Sequence, residues 1–157
     1  MSLQGFEPRG SLAGDLTQAT FPFIVSNGHT VTAGNAVCLV EGYLESLSPT
    51  DDASGVLGVA VGTVTGNSSS ATVGVICDPN VVYYNDADGS LAQADLGKVY
   101  KVVTASGKMS IDQSTGATTS ANHFVLIKKD PDGDRDASKG LFKIYNSQIS
   151  TRIGDTA

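Results

Sequence analysis

The residues best suited to chemistry are the carboxylates of the segment Asp130-Pro-Asp-Gly-Asp-Arg-Asp136, where four aspartates stand at alternate positions. Alternating carboxylates in a turn can bind Ca²⁺, but an EF-hand loop also needs glycine at its sixth position and glutamate at its twelfth. Counting from Asp130, neither is present. The cluster Asn85-Asp86-Ala87-Asp88-Gly89 matches the loop less well. We interpret both segments as acidic surface turns, and we predict no metal and no other cofactor.

Catalytic residues are hard to find in the sequence. His29 and His123 stand beside turn residues, and no Gly-x-Ser-x-Gly nucleophile motif accompanies them. The glycines between positions 55 and 62 lack the Lys-Ser/Thr ending of a phosphate-binding loop. We predict that the protein is not an enzyme. A histidine that meets a serine or an aspartate in a cleft would favour a hydrolase, which stays open as a third class.

The cysteines and tyrosines have both a structural and a functional interpretation. Cys38 and Cys77 lie in apolar runs without CxxC spacing, so we interpret them as buried thiols and leave a disulfide between them open. Sugar-binding modules stack sugars on exposed aromatic rings, and here the aromatic fraction is only 6% with no tryptophan. Exposure of Tyr83 or Tyr84 would favour glycan binding, whereas their burial would favour core packing.

The segments that must position these residues have the pattern of β-strands. Residues 21–25, 36–44 and 56–64 are short apolar runs, and the turn sequences Ser26-Asn27-Gly28-His29 and Ala33-Gly34-Asn35 follow or precede them. The second and third runs are apolar at both alternate positions. Such strands lie between two layers or line a closed barrel. The sequence therefore predicts an all-β fold with a small β-barrel over residues 21–157 and one short helix near residues 91–96.

Composition limits the class of protein and its partners. With 157 residues, 17% charged residues and 18 glycines, the chain is long and apolar enough for one folded domain. A net charge of −6 argues against nucleic acid and anionic membranes as partners. No segment approaches the roughly 20 apolar residues of a membrane-spanning helix. The N-terminus has no signal-peptide pattern, so we expect synthesis in the cytosol.

The first 20 residues differ from the rest of the chain. They show neither strand nor helix periodicity, and their glycine and polar content suits an extended arm. A frayed terminus is the alternative. The segment also contains apolar residues that a solvated tail would not need, which favours an arm that becomes ordered on a neighbouring surface. These apolar residues are Leu3, Phe6, Leu12 and Leu16.

The order of these motifs resembles the capsid decoration, or cement, proteins of tailed bacteriophages. The residues that carry the resemblance begin with Val31-Thr-Ala-Gly-Asn-Ala-Val-Cys-Leu39 and Gly55-Val-Leu-Gly-Val-Ala-Val-Gly-Thr63. They continue with Ala94-Asp-Leu-Gly-Lys-Val-Tyr100, Ser110-Ile-Asp-Gln-Ser-Thr115 and Phe124-Val-Leu-Ile, and they end with Asp130-Pro-Asp132 and a terminal strand. The resemblance covers most of the chain, and its motifs are strands and turns rather than reactive residues.

The resemblance implies a tulip-like β-barrel that forms a homotrimer on the outer capsid surface of the virion and stabilises the lattice of the major capsid protein. It also implies that the arm binds the capsid, through Leu3, Phe6, Arg9, Leu12 and Leu16, and that the loops around Asp51 and Asp86 serve the trimer or the capsid. On this basis we expect deletion of residues 1–16 to leave a folded barrel that no longer binds capsids. The alternative is a β-barrel binding module for a host-surface or glycan ligand.

Overall fold

The structure, a computed structural model, describes residues 5–12, 19–48, 55–67, 70–105, 107–118, 122–133 and 135–149. In this part of the chain the fold is mainly β, as predicted, and the predicted short helix is a 3₁₀ turn at Gln93–Asp95. The strands are β1 (Glu7–Ser11), β2 (Thr20–Ile24), β3 (Thr30–Val31), β4 (Ala36–Val40), β5 (Tyr43–Ser46), β6 (Gly58–Ala60), β7 (Val64–Thr65), β8 (Thr72–Ile76), β9 (Val81–Asp86), β10 (Val99–Ala105), β11 (Lys108–Ala117), β12 (Phe124–Lys129) and β13 (Lys139–Ile144).

Two antiparallel sheets form the body of the fold. The first has six strands in the order β1-β9-β13-β12-β10-β11, and the second has five in the order β2-β8-β6-β4-β5. Both sheets curl. A bridge between Ala87 and Ile111 joins the end of β9 to β11, and a bridge between Val25 and Leu44 joins the end of β2 to β5. Strands β3 and β7 form a separate pair.

The five-stranded sheet separates two hydrophobic cores. The main core lies between the two large sheets and takes Cys38 from β4 and Val59 from β6. The second core lies on the opposite face of the sheet, and the side chains of Val37 and Ala60 belong to it. Neighbouring residues of a strand point to opposite faces, so β4 and β6 need apolar residues at every position. Of the two alternatives that the sequence leaves open for these runs, a place between two layers and the wall of a closed barrel, the two cores support the first for β4 and β6.

The N-terminal segment enters the domain instead of extending away from it. Strand β1 pairs with β9 at the edge of the six-stranded sheet. Phe6 is only 2% exposed, and its ring stacks on Phe124 at a centroid distance of 4.2 Å. Residues 6–11 of the predicted arm therefore belong to the fold. Deletion of residues 1–16 would remove an edge strand and a core side chain, so we no longer expect that truncation to leave the barrel intact.

Gly5 explains how the chain reaches this position. Its φ of 117° lies in the region that favours glycine, and a Cβ atom there would lie 2.6 Å from the carbonyl oxygen of Gly34. The next residue, Phe6, donates its backbone N–H to the same oxygen at 2.8 Å. The Ala33-Gly34-Asn35 turn thus anchors the start of the N-terminal segment.

We expect Phe6→Ala to lower the free energy of unfolding by about 3–5 kcal/mol, because the substitution opens a cavity in the main core. Urea unfolding followed by circular dichroism measures this loss. The matched control is Leu12→Ala, which should stay within about 0.5 kcal/mol of the wild type because Leu12 is exposed. Equal effects of the two substitutions would contradict the burial of Phe6.

Candidate functional site

Arg9 holds strand β1 against the surface turn at residues 130–133. Its guanidinium lies over the ring of Tyr84 at 4.0 Å from the centroid, and its Nη1 atom lies 3.5 Å from Oδ1 of Asp132. The Tyr84 hydroxyl also hydrogen-bonds to Asp132. This hydrogen bond, followed by the attraction of Arg9, lowers the pKa of Asp132 below its ordinary value. Arg9 is therefore engaged within the protein, and its position links the N-terminal strand to the acidic turn that begins at Asp130.

The predicted arm residues have different environments. Phe6 lies in the core, Arg9 lies over Tyr84, and Leu12 is 60% exposed just beyond the end of β1. Leu3 and Leu16 fall outside the residues that the structure describes. Of the five predicted capsid-binding residues, Leu12 is thus the apolar side chain that the structure presents to solvent.

Strand β2 adds exposed apolar residues to the same region. Four of its five residues are exposed, although the strand reads Thr-Phe-Pro-Phe-Ile. Phe21 is 60% exposed and Ile24 is 37% exposed. Thr20 pairs with Ile76 and the N–H of Leu12 bonds to Asn80, so β2 and Leu12 both lie beside the connection from β8 to β9. We call Leu12, Phe21, Pro22 and Ile24 the N-terminal surface.

The sequence pattern predicts a barrel strand over residues 21–25 and does not predict the exposure of β2. The sequence did contain a signal. Pro22 lies in the middle of β2, and Pro8 lies in β1. Because proline has no N–H to donate, it is confined to edge strands, to the first residue of a strand or to bulges. Both strands are at the edges of their sheets.

The two acidic turns meet at one cleft of about 440 Å³. Asp86 comes from the first cluster and Asp136 from the second. Each carboxylate contacts a lysine: Asp86 forms a short hydrogen bond with Lys108, and Oδ2 of Asp136 lies 3.4 Å from Nζ of Lys139. Hydrogen bonds from Ser138, together with Lys139, lower the pKa of Asp136. Among the described residues no group of three or more potential ligands is placed to hold a metal ion.

The two histidines differ in their exposure to solvent. His29 is half exposed, with Nε2 3.6 Å from Oε2 of Glu45, and His123 is fully buried. A buried imidazole has no access to a substrate in a cleft, and the acidic partner of His29 lies on the protein surface. Neither environment is the cleft with a serine or an aspartate that would favour a hydrolase.

The tyrosines predicted for sugar binding are buried. Tyr83 has no exposed surface, and Tyr84 is 4% exposed beneath Arg9. Burial, followed by the negative charges expected at Cys77 and Asp78, raises the pKa of Tyr83. Burial likewise raises the pKa of Tyr100 to about 12. Tyr83 and Tyr84 therefore cannot serve as a stacking platform, whereas Tyr43 and Tyr145 are 46% and 52% exposed.

Both cysteines are free thiols. Cys38 belongs to the main core, whereas Cys77 packs against the second core, so the five-stranded sheet lies between their environments. Partial burial raises the pKa of Cys77, which keeps it in the less reactive thiol form. Cys38 is thus a buried thiol, as interpreted from the sequence, whereas Cys77 is only partly buried.

Comparison with known proteins adds no assignment. No protein-family model matches the chain, and a search of curated proteins finds no significant match. In the described part of the chain, no helix has the length and apolar character needed to cross a membrane.

We expect Asp132→Asn to accelerate hydrogen exchange of the β1 amides at pH 7, because the substitution weakens the contact with Arg9. Since folding lowers the pKa of Asp132, its contribution is present above the unfolded pKa of about 3.9 and is lost as the pH falls through the lower folded value. Wild type and variant, compared at the same pH, should therefore converge near pH 2. Asp112→Asn, on the far edge strand β11, is the control. A difference that persists at low pH would contradict the ionic contact.

Proposed function

We propose that the protein is a virion structural protein that binds the outside of a phage head as a homotrimer and stabilises the lattice of the major capsid protein. The observation that carries the proposal is the N-terminal surface, on which Leu12 and Phe21 are both 60% exposed. Large apolar side chains that cluster on a surface favour a protein–protein contact. The resemblance of the sequence to phage decoration proteins supplies the partner.

The proposed contact uses side chains rather than strand addition. Exposed edge strands are templates for pairing with another chain, and proline within an edge blocks that pairing. Pro8 in β1 and Pro22 in β2 interrupt the backbone donors of both edges. A partner would therefore cover Leu12 and Phe21 by packing against their side chains.

Packing of this kind is suited to a protein that stabilises a repetitive lattice. Burial of apolar surface contributes roughly 25 cal/mol per Å², so a few side chains give only a weak single contact. Three linked copies that engage neighbouring capsid subunits together would bind far more tightly than one copy does. The strand β1 and Phe6 keep the N-terminal surface attached to a rigid domain, which limits the entropy lost on binding.

The solution mass is the first measurement that tests the proposal. Light scattering coupled to size exclusion should give three times 16.1 kDa if the trimer forms before capsid binding. A monomer that also fails to sediment with purified heads of its own phage would contradict the proposed function. A monomer that sediments with heads in multiples of three per lattice site would place trimer formation on the capsid.

We expect the double substitution Leu12→Ser with Phe21→Ser to weaken binding to phage heads at least about tenfold, because one lost contact of 1.4 kcal/mol already has this effect. Co-sedimentation over a range of head concentrations measures the loss. Tyr145→Ser is the matched control, since Tyr145 is 52% exposed but lies after β13, outside the N-terminal surface. Equal binding of the double variant and the wild type would contradict a role for this surface.

A further inference from the structure

The net charge of the protein conceals a strong separation of charge along the chain. Between residues 10 and 97 there is no lysine or arginine, while this stretch contains nine aspartates and glutamates. Residues 98–143 contain eight of the ten basic residues. The five-stranded sheet is built from the first stretch, whereas four strands of the six-stranded sheet come from the second. The strands of the five-stranded sheet contain a single charged residue, Glu45, whereas those of the six-stranded sheet contain seven basic and three acidic residues.

The basic residues of the six-stranded sheet lie partly on its outer face. Phe142 and Ile144 point into the main core, so the alternate residues Leu141 and Lys143 of β13 point outward. Lys143 stands between Val82 of β9 and Val125 of β12 in one cross-strand row. In the next row, Leu141 stands beside Lys128. Val82 is only 7% exposed and is already covered. We call Val125, Lys128, Leu141 and Lys143 the basic face.

The lysines of the basic face differ from other lysines of this sheet in their ionic partners. Lys98 pairs with Asp95, and Lys108 pairs with Asp86. In contrast, the described residues place no carboxylate within ion-pair distance of Lys128 or Lys143. The only hydrogen bond that the side chain of Lys143 donates among them is to the backbone oxygen of Ile144. Their charge is thus available to a partner.

The five-stranded sheet offers a complementary element, the hairpin of β4 and β5. Val40 and Tyr43 pair across its end and are 38% and 46% exposed. Glu41 is exposed in the turn between them, and Glu45 follows on β5 with its side chain one-quarter exposed, facing His29. We call residues 40–45 the acidic hairpin. Like the basic face, it combines apolar side chains with charges of a single sign.

We propose that the acidic hairpin of one copy of this chain docks on the basic face of a second copy. Glu41 and Glu45 would face Lys128 and Lys143, while Val40 and Tyr43 would cover the apolar residues of the basic face. Opposite charges on the two surfaces favour this pairing and disfavour contact of like surfaces. A second copy is the partner because both complementary surfaces belong to this chain.

The contact is heterologous, since it joins two different surfaces. Heterologous contacts generate a closed ring when the rotation between copies closes and a filament when it does not. A three-membered ring would be the homotrimer of the proposed function, so the inference rests on that proposal for its copy number. The pairing of hairpin and face does not depend on capsid binding.

Sedimentation velocity over a concentration series tests whether the contact is ionic. The Debye length falls from about 10 Å at 0.1 M salt to about 3 Å at 1 M, so we expect self-association to weaken at least about tenfold between these NaCl concentrations. A monomer at the lower salt concentration would overturn the proposal. So would an oligomer whose association is unchanged by salt.

A charge-swap experiment tests which surfaces meet. Lys128→Glu with Lys143→Glu reverses the basic face, and Glu41→Lys with Glu45→Lys reverses the acidic hairpin. Each variant alone should remain monomeric at 0.1 M salt, and an equimolar mixture should recover association because one reversed face then meets one reversed hairpin. Circular dichroism confirms the fold of each variant. Failure of the mixture to associate, or association of either variant at the wild-type level, would overturn the proposal.

Two further measurements keep the test decisive. If a reversal variant does not fold, the single substitutions Lys128→Gln and Glu41→Gln are tested in place of the two double variants. Each of them must reduce the salt dependence of association. Binding of the reversed variants to phage heads is measured separately. Association that follows the charge swap without any head binding would support this contact and contradict the proposed function. Head binding by a wild-type protein that does not self-associate would support the proposed function and contradict this contact.

Discussion

The five-stranded sheet must bury both of its faces, and most of the structure depends on this constraint. Val37 points to one core while its neighbour Cys38 points to the other. A sheet that is apolar on both faces requires cover on both sides. The six-stranded sheet covers one side. The five-stranded sheet itself curls around the other side, which it encloses together with the β3 and β7 pair. The main core extends through this arrangement to the N-terminal segment, which contributes Phe6.

The N-terminal segment combines two requirements that usually conflict. Phe6 and β1 anchor it to the main core and to β9, whereas Leu12 and β2 expose apolar side chains. A surface that is both apolar and rigid loses little entropy on binding, but it also risks unspecific pairing at its edges. Pro8 and Pro22 lower that risk because they remove backbone donors from the two edge strands. These features support a protein that works through contacts with other proteins.

Charge separation adds an orientation to these contacts. An apolar surface attracts many partners, whereas the opposite charges of the basic face and the acidic hairpin disfavour wrong orientations. Within the six-stranded sheet, the carboxylate of Asp86 pairs with Lys108. The basic face presents positive charge to a partner, and the acidic hairpin presents negative charge. The proposed assembly therefore combines apolar packing at the N-terminal surface with ionic pairing between copies.

The mainly-β fold and the apolar character of both faces of β4 and β6 could be predicted from the sequence, because period-2 alternation and glycine-rich turns are local properties of the chain. The candidate site could be predicted only in part. Leu12 is exposed as expected, but Phe6 is buried, because its environment depends on Phe124, more than a hundred positions away in the sequence. The burial of Tyr84 likewise depends on Arg9 and on the pairing of β1 with β9. Local sequence indicated the apolar strands β4 and β6, since side-chain alternation acts within a few residues, whereas β1 became a strand through its pairing with the distant β9. Only the tertiary structure decided which side chains face solvent and which charges are paired, since these depend on strands that are distant in the chain.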